Sequence, residues 1–185
     1  MFKKLFGLGR NANQPIIDAL YGDIVAAARQ PELYAAWQVP DTPLGRFEML
    51  SLHMFLFLHR VKGEEGQVRD LAQDLTDRFF AEVDDSLRAL GIGDMGIPKR
   101  MKKLARMFYG RTASYGGAVD AGDVTALGEA LRRNVMPESA DWPQSEALAR
   151  YTLEASEALN RQPVEDFLQG RLAFPTASAR EEKDI

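Results

Sequence analysis

The longest apolar stretch of the chain covers residues 49–58, in which only a serine and a histidine interrupt the apolar side chains. In a helix these side chains cover the whole circumference, and such a helix is either buried in a core or spans a membrane. Spanning needs roughly 20 apolar residues, but Glu48 and Arg60 leave only 11 uncharged positions between them. The pattern therefore predicts a buried helix over residues 44–61 that the rest of the chain surrounds.

Amphipathic helices are predicted on both sides of this stretch, because apolar residues recur there every three or four positions. The predicted helices cover residues 15–29, 31–37, 65–90, 98–109, 123–135, 145–160 and 163–168. Thr42 and Asp123 are the expected N-caps of two of them, and Gly91 and Gly110 are the expected ends of two others. Leu90 is the last residue of the core face predicted for the helix over 65–90.

No alternating strand pattern and no internal repeat is found in the 185 residues. The predicted fold is therefore all-α, a single-domain bundle of seven to eight helices around residues 44–61. Residues 1–14 are predicted to form a flexible basic N-terminal arm and residues 15–174 the helical domain. Residues 175–185 are small, polar and charged, so we expect a disordered tail.

Composition limits the chemistry available to this chain. It has no cysteine and two histidines, which excludes disulfides and thiolate chemistry and leaves few ligands for transition metals. No serine, histidine and aspartate set with catalytic spacing is found. We therefore expect no catalytic residue, no metal and no cofactor.

Two motifs nevertheless resemble chemical sites. GIGDMG at 91–96 has the letters of a dinucleotide-binding loop, but it follows a predicted helix instead of a strand, so we interpret it as a helix end and a turn. Asp70 and Asp74 form a D-x-x-x-D pair, which some all-α prenyl-transfer enzymes use in two facing copies to hold Mg²⁺. A second pair is missing here, and a magnesium-dependent prenyl-transfer-like enzyme stays as an alternative function.

Charge is distributed unevenly along the chain. Residues 64–94 carry nine acids and three bases, whereas residues 95–119 carry six bases and no acid. The helix over 98–109 places its bases on one side and Met101, Leu104 and Phe108 on the opposite side. At roughly 1 kcal/mol per base near an anionic bilayer, such a face supports transient attachment. RNA phosphates would also suit it, so an RNA- or ribosome-binding module is a second alternative.

Three stretches, in this order, resemble one protein family. They are GRFEMLSLHMFLFLHRVKG (45–63), LAQDLTDRFFAEVDDSLRALGIGD (71–94) and IPKRMKKLARMFYGR (97–111). The sequence is similar to the ubiquinol–cytochrome c chaperone family, which includes the mitochondrial assembly factor for cytochrome b. The resemblance covers about residues 15–135, and no transit peptide is visible, so we expect a bacterial member.

The resemblance implies a non-enzymatic chaperone that binds newly made cytochrome b and assists assembly of the ubiquinol–cytochrome c reductase. It implies a cytoplasmic protein, peripheral at the inner face of the cytoplasmic membrane. The mitochondrial relative works with a small partner subunit and near the ribosomal exit, but nothing in this sequence demonstrates such a subunit. The family has no settled catalytic residues to carry over.

We expect the partner-binding site on the basic helix, where cations would dock on the ribosome or on an anionic membrane surface. Methionine and aromatic side chains would supply an adaptable apolar edge, although Met101 and Phe108 fit the core better. The expected partner-binding residues are Lys99, Arg100, Lys102, Lys103, Arg106, Met107, Tyr109 and Arg111.

Overall fold

The computed structural model describes the backbone of residues 6–178 and the side chains of residues 13–178. Within this range the chain forms eight helices and no strand. They are α1 (Phe6–Ala28), α2 (Pro31–Ala35), α3 (Pro43–Arg60), α4 (Gln67–Ala89), α5 (Ile97–Ala121), α6 (Val124–Val135), α7 (Ser145–Arg161) and α8 (Val164–Phe167). The prediction of an all-α bundle of seven to eight helices is confirmed.

Helix α3 occupies the centre of the bundle. It packs against α1, α5, α6 and α7, and every residue from 51 to 57 is buried. None of the described helices combines the length and the apolar character needed to cross a bilayer. The prediction that residues 44–61 form a buried core helix is therefore confirmed.

Local capping signals determine where several helices begin and end. The Gly45 amide donates a hydrogen bond to Thr42 Oγ1 (3.1 Å) at the start of α3. The Ala126 amide donates in the same way to Asp123 Oδ1 (2.9 Å) at the start of α6. Gly91 follows α4 with φ at +79°, a conformation that glycine adopts without steric cost. These predicted caps are confirmed.

Helix α5 does not end at Gly110, as the sequence suggests, but continues to Ala121. The added turns bury Tyr115 and Val119 in the core, and the Tyr115 ring meets Phe55 of α3 edge to face at 5.8 Å. Burial of these two side chains, together with the pairing of Arg111, offsets the cost of about 1 kcal/mol for each of the three glycines inside α5, Gly110, Gly116 and Gly117. The predicted helix end is wrong for this reason.

The two ends of the described chain reach into the segments predicted as a flexible arm and a disordered tail. Helix α1 begins at Phe6, inside the segment 1–14 that the sequence predicts as a flexible arm, and residues 1–5 lie outside the described residues. The backbone of 175–178 is attached to the bundle: Gln30 donates to the Pro175 carbonyl (3.1 Å) and accepts from the Ala177 amide (2.6 Å). The remainder of the predicted tail, 179–185, also lies outside the described residues.

His53 lies at the centre of a buried polar chain. Its Nδ1 donates to the Met49 carbonyl (2.8 Å), so Nε2 accepts from the Tyr151 hydroxyl (2.8 Å). Gln30 in turn donates to the same hydroxyl (3.2 Å). Burial lowers the pKa of His53 to about 4, although the bond to Met49 opposes this effect. His53 is thus a core histidine with both ring nitrogens hydrogen-bonded.

Stability should fall as the pH drops from about 6.5 to 4, because the unfolded chain binds a proton at His53 that the folded protein excludes. A pKa lowered from 6.5 to about 4 corresponds to a loss on the order of 3 kcal/mol. Urea unfolding at pH 7 and pH 4.5 measures this loss in the wild type and in His53→Gln. The variant should lose less stability on acidification, and equal losses would contradict the assignment.

A substitution at Gly45 tests how closely the start of α3 packs against Pro40. A Cβ at this position would lie 1.9 Å from the Pro40 carbonyl oxygen, which already accepts a hydrogen bond from the Thr42 amide. Gly45→Ala should therefore lower the free energy of unfolding by about 2 kcal/mol. Gly110→Ala is the control, because its Cβ meets nothing within 4 Å, and it should raise stability by about 0.5–1 kcal/mol. Thermal unfolding measures both variants, and a Gly45→Ala variant as stable as the wild type would refute this packing.

Candidate functional site

The first half of α5 presents an exposed cationic surface, here named the basic face. It consists of Lys99, Arg100, Lys102, Lys103 and Arg106, all of which are exposed. None of the five forms an ion pair or a side-chain hydrogen bond within the described part of the chain. Two carboxylates that precede α5, Asp84 and Asp94, bind Arg88 instead. The basic face therefore meets solvent with uncompensated charge.

The opposite side of α5 joins the core. Phe108 is fully buried, and Met101 is partly buried against the core, as expected for both. Met107 is also only partly exposed. Tyr109 is 57% exposed, and its ring lies 6.2 Å from that of Phe80. Of the two apolar residues predicted for the partner-binding edge, Tyr109 thus offers the larger accessible surface.

Arg111 does not belong to the exposed surface, which corrects the sequence prediction. It is 9% exposed, and its guanidinium donates through two nitrogens to the two carboxylate oxygens of Glu48, which is 3% exposed. Burial raises the pKa of Glu48, and the Arg111 charge opposes that rise. Arg111 faces inward because it follows the buried Phe108 by three residues, a spacing that places both on the core side of α5.

An apolar groove of about 1000 Å³ lies between α1, α3 and α4, with Leu104 of α5 contributing to its lining. Its apolar lining includes Val25, Phe47, Leu50, Val83 and Leu87. Two further lining residues, Leu44 and Leu90, are 48% and 58% exposed. Four large hydrophobic side chains of the described chain are exposed to this degree, and two of them, Leu44 and Leu90, line this groove.

Charged residues of the groove are mostly paired with one another. Arg46 bonds Asp41 at 2.6 Å, and Arg78 bonds Glu82 at 2.6 Å. Arg29 also lines the groove and has no ion pair among the described residues. Because paired charges balance each other, the groove favours an apolar occupant.

No pattern in the amino-acid sequence indicates this groove. Its apolar periodicity assigns Leu90 to the core face of α4, whereas the helix ends at Ala89 and Leu90 stands largely exposed. A continuous apolar stripe does not reveal which of its members a neighbouring helix covers. The groove is a consequence of helix placement, which local sequence does not encode.

The acidic pair proposed for magnesium does not have the partners that this role requires. Asp70 is exposed and Asp74 partly buried. The pocket beside Asp70 is lined by Leu58, Gly66, Arg69, Ala72, Gln73 and Thr76, which supply no second carboxylate. Among the described residues no group of three or more His, Asp or Glu is placed to hold a metal ion. The GIGDMG segment joins α4 to α5, which confirms its interpretation as a helix end and a turn.

Removing the Arg111 charge should leave a buried carboxylate without its partner. We expect Arg111→Met to lower the free energy of unfolding by about 3–5 kcal/mol at pH 7.5. Because the pKa of Glu48 is raised in the folded protein, its charge opposes folding only above its unfolded-state pKa, so the loss should shrink at pH 5.

The double variant Glu48→Leu/Arg111→Met is the control for this experiment. It removes both charges and should recover most of the lost stability. Urea unfolding at pH 5 and pH 7.5 measures both variants. If Arg111→Met is as stable as the double variant at pH 7.5, the ion pair between Arg111 and Glu48 does not hold α5 against α3.

Comparison with known proteins places this geometry in a family. Residues 35–174, which include the basic face and the α3 and α4 sides of the groove, match the family model described as ubiquinol-cytochrome C chaperone. A similar protein is ubiquinol-cytochrome-c reductase complex assembly factor 1 of Xenopus laevis, 24% identical over 138 residues, which are 74% of this chain and 68% of that protein. The mouse (Mus musculus) protein of the same name is 24% identical over 150 residues, which are 80% of this chain and 50% of the mouse protein.

A solved structure agrees with these matches. The crystal structure of the Cbp3 homolog from Brucella abortus superposes with a TM-score of 0.84 and 52% sequence identity, covering 95% of this chain and 97% of that chain. The helical architecture is thus shared over almost the full length of both chains. Since the family model also matches most of the residues, this chain belongs to the ubiquinol–cytochrome c chaperone family.

Proposed function

We propose that this protein binds newly synthesised cytochrome b and assists its incorporation into the ubiquinol–cytochrome c reductase. The family match and the names of the relatives, assembly factors of that complex, support this role. The proposed action is non-enzymatic: it consists of binding and release, without a bond-making step. It requires one surface for the client and one for the place where the client is made.

The observation that carries the proposal is the apolar groove. Cytochrome b is a membrane protein of several helices, and before assembly its apolar segments need cover from water. The groove combines an apolar lining with the exposed side chains of Leu44 and Leu90. Covering these two half-exposed leucines contributes roughly 1 kcal/mol each. Contacts of this size suit a client that must later be released.

The basic face is the proposed docking surface, at the inner face of the cytoplasmic membrane or at the ribosome. Its five cations contribute roughly 1 kcal/mol each near an anionic surface, less at physiological salt. This sum supports reversible attachment but not permanent anchoring. Met107 and Tyr109 border the basic face along α5 and would extend the contact.

Leu44→Asp tests the groove without disturbing the fold. Leu44 lies in the first turn of α3, where a carboxylate is favourable because of the helix dipole, so stability should be unchanged or slightly higher. The charge should lower the affinity of the groove for an apolar segment about tenfold, since an unpaired carboxylate resists burial. The measurement is the amount of unassembled cytochrome b recovered with the tagged protein from growing cells.

Thr125→Asp is the matched control, because it adds the same charge in the first turn of α6 at an exposed position away from the groove. It should recover as much cytochrome b as the wild type. Failure of the wild type to recover unassembled cytochrome b would contradict the proposed function. Equal recovery with Leu44→Asp and Thr125→Asp would contradict only the assignment of the groove.

A further inference from the structure

The turn between α4 and α5 exposes an apolar side chain almost completely. Met95 is 99% exposed and directly precedes Gly96, the N-cap of α5. Methionine is usually buried in folded proteins. Leu90, at the other end of the same turn, is 58% exposed. Full exposure of Met95 next to the basic face is not explained by packing within the bundle.

We propose that Met95 and the basic face together form a docking surface for an anionic lipid bilayer, with the Met95 side chain inserted below the headgroups. This inference rests on the proposed function in one respect, since it names the partner of the basic face. It selects a lipid surface instead of RNA as that partner, a choice that the pattern of charges alone does not make.

The arrangement of charge fits a flat anionic surface. Lys99, Lys103 and Arg106 recur at helical spacing, so their charges line one side of α5 over about 10 Å. Surface-bound helices combine such cations with apolar side chains that enter the boundary between headgroups and acyl chains. Tyr109, 57% exposed one turn further along α5, has the amphipathic character that favours this boundary.

Nearby carboxylates do not cancel this attraction. Asp84 and Asp94 share Arg88, which leaves a single net negative charge on that cluster. Asp85 is a further exposed acid of α4. The five cations of the basic face exceed these charges, and none of them is paired within the described chain.

An exposed thioether gives little advantage in RNA binding. Proteins that bind single-stranded RNA combine cations with aromatic rings on which the bases stack. Met95 offers neither a charge nor a ring. In a bilayer the same side chain leaves water for an apolar medium, which is favourable by the hydrophobic effect.

The proposed orientation also brings the groove to the membrane. Leu87, Ala89 and Leu90 line the groove, and they immediately precede the turn that carries Met95. A bilayer that receives Met95 would therefore lie beside this end of the groove. An apolar client segment at the membrane surface would reach the groove without crossing open water.

The absence of cysteine from the sequence allows a direct test. Met95→Cys in the full chain is labelled with the environment-sensitive fluorophore NBD and mixed with vesicles of phosphatidylcholine alone or with 30% phosphatidylglycerol. The inference predicts a blue shift and at least a twofold rise in NBD emission with the anionic vesicles only. Thr125→Cys, labelled in the same way at an exposed site on α6, should show no change.

A second arm tests the charges. Neutralising Lys102 and Lys103 to glutamine should weaken vesicle binding about 25-fold, because roughly 1 kcal/mol per cation corresponds to about fivefold each. The matched control neutralises Arg133 and Arg150, which are exposed and paired on α6 and α7, and should change binding less than twofold. Sedimentation with vesicles measures both.

Three results would overturn the inference. They are binding to a 20-nucleotide RNA but not to anionic vesicles, vesicle binding with no change of the label at position 95, and vesicle binding that survives loss of Lys102 and Lys103. The third result would place the contact elsewhere, for example in residues 1–14. Recovery of cytochrome b from detergent extracts is measured separately, so the lipid inference and the proposed function can fail independently.

Discussion

The central constraint on this structure is that α3 has apolar side chains around its whole circumference and must be covered from every side. One neighbouring helix cannot achieve this, so α1, α5, α6 and α7 all pack against it. The constraint extends to Glu48, the charged residue within the buried part of α3. A buried carboxylate requires a partner, and Arg111 supplies it only if α5 continues through Gly110.

Features that depend on neighbours in sequence were predicted well. Apolar periodicity located the helices, and the side chains of Thr42 and Asp123 identified two of their starts, because a cap is a contact over three residues. Features that depend on distant residues were not. The sequence pattern predicts a helix end at Gly110 and places Arg111 on the basic face. The contacts of α5 with α3 show that both predictions are wrong.

The same reasoning separates the two proposed surfaces. The basic face was visible in the sequence because residues 95–119 contain no acid, so no local partner for its cations exists. Acids of α4 form ion pairs with arginines of the same helix instead, for example Glu82 with Arg78 and Asp84 with Arg88. The groove is a gap between three helices, and a gap leaves no residue pattern of its own. The apolar stripe of α4 therefore predicts a core position for Leu90, which the structure leaves exposed.

The hydrogen bonds of the Gln30 side chain to Pro175 and Ala177 limit how early the fold can be completed during synthesis. The Gln30 side chain joins the Ala177 amide across 147 positions of sequence, and the same side chain reaches Tyr151 in the buried chain of His53. A contact so distant in sequence cannot form while residue 177 is still inside the ribosome that makes it. The bundle thus closes only late in its own synthesis, and each copy reaches its finished state after translation has passed this point.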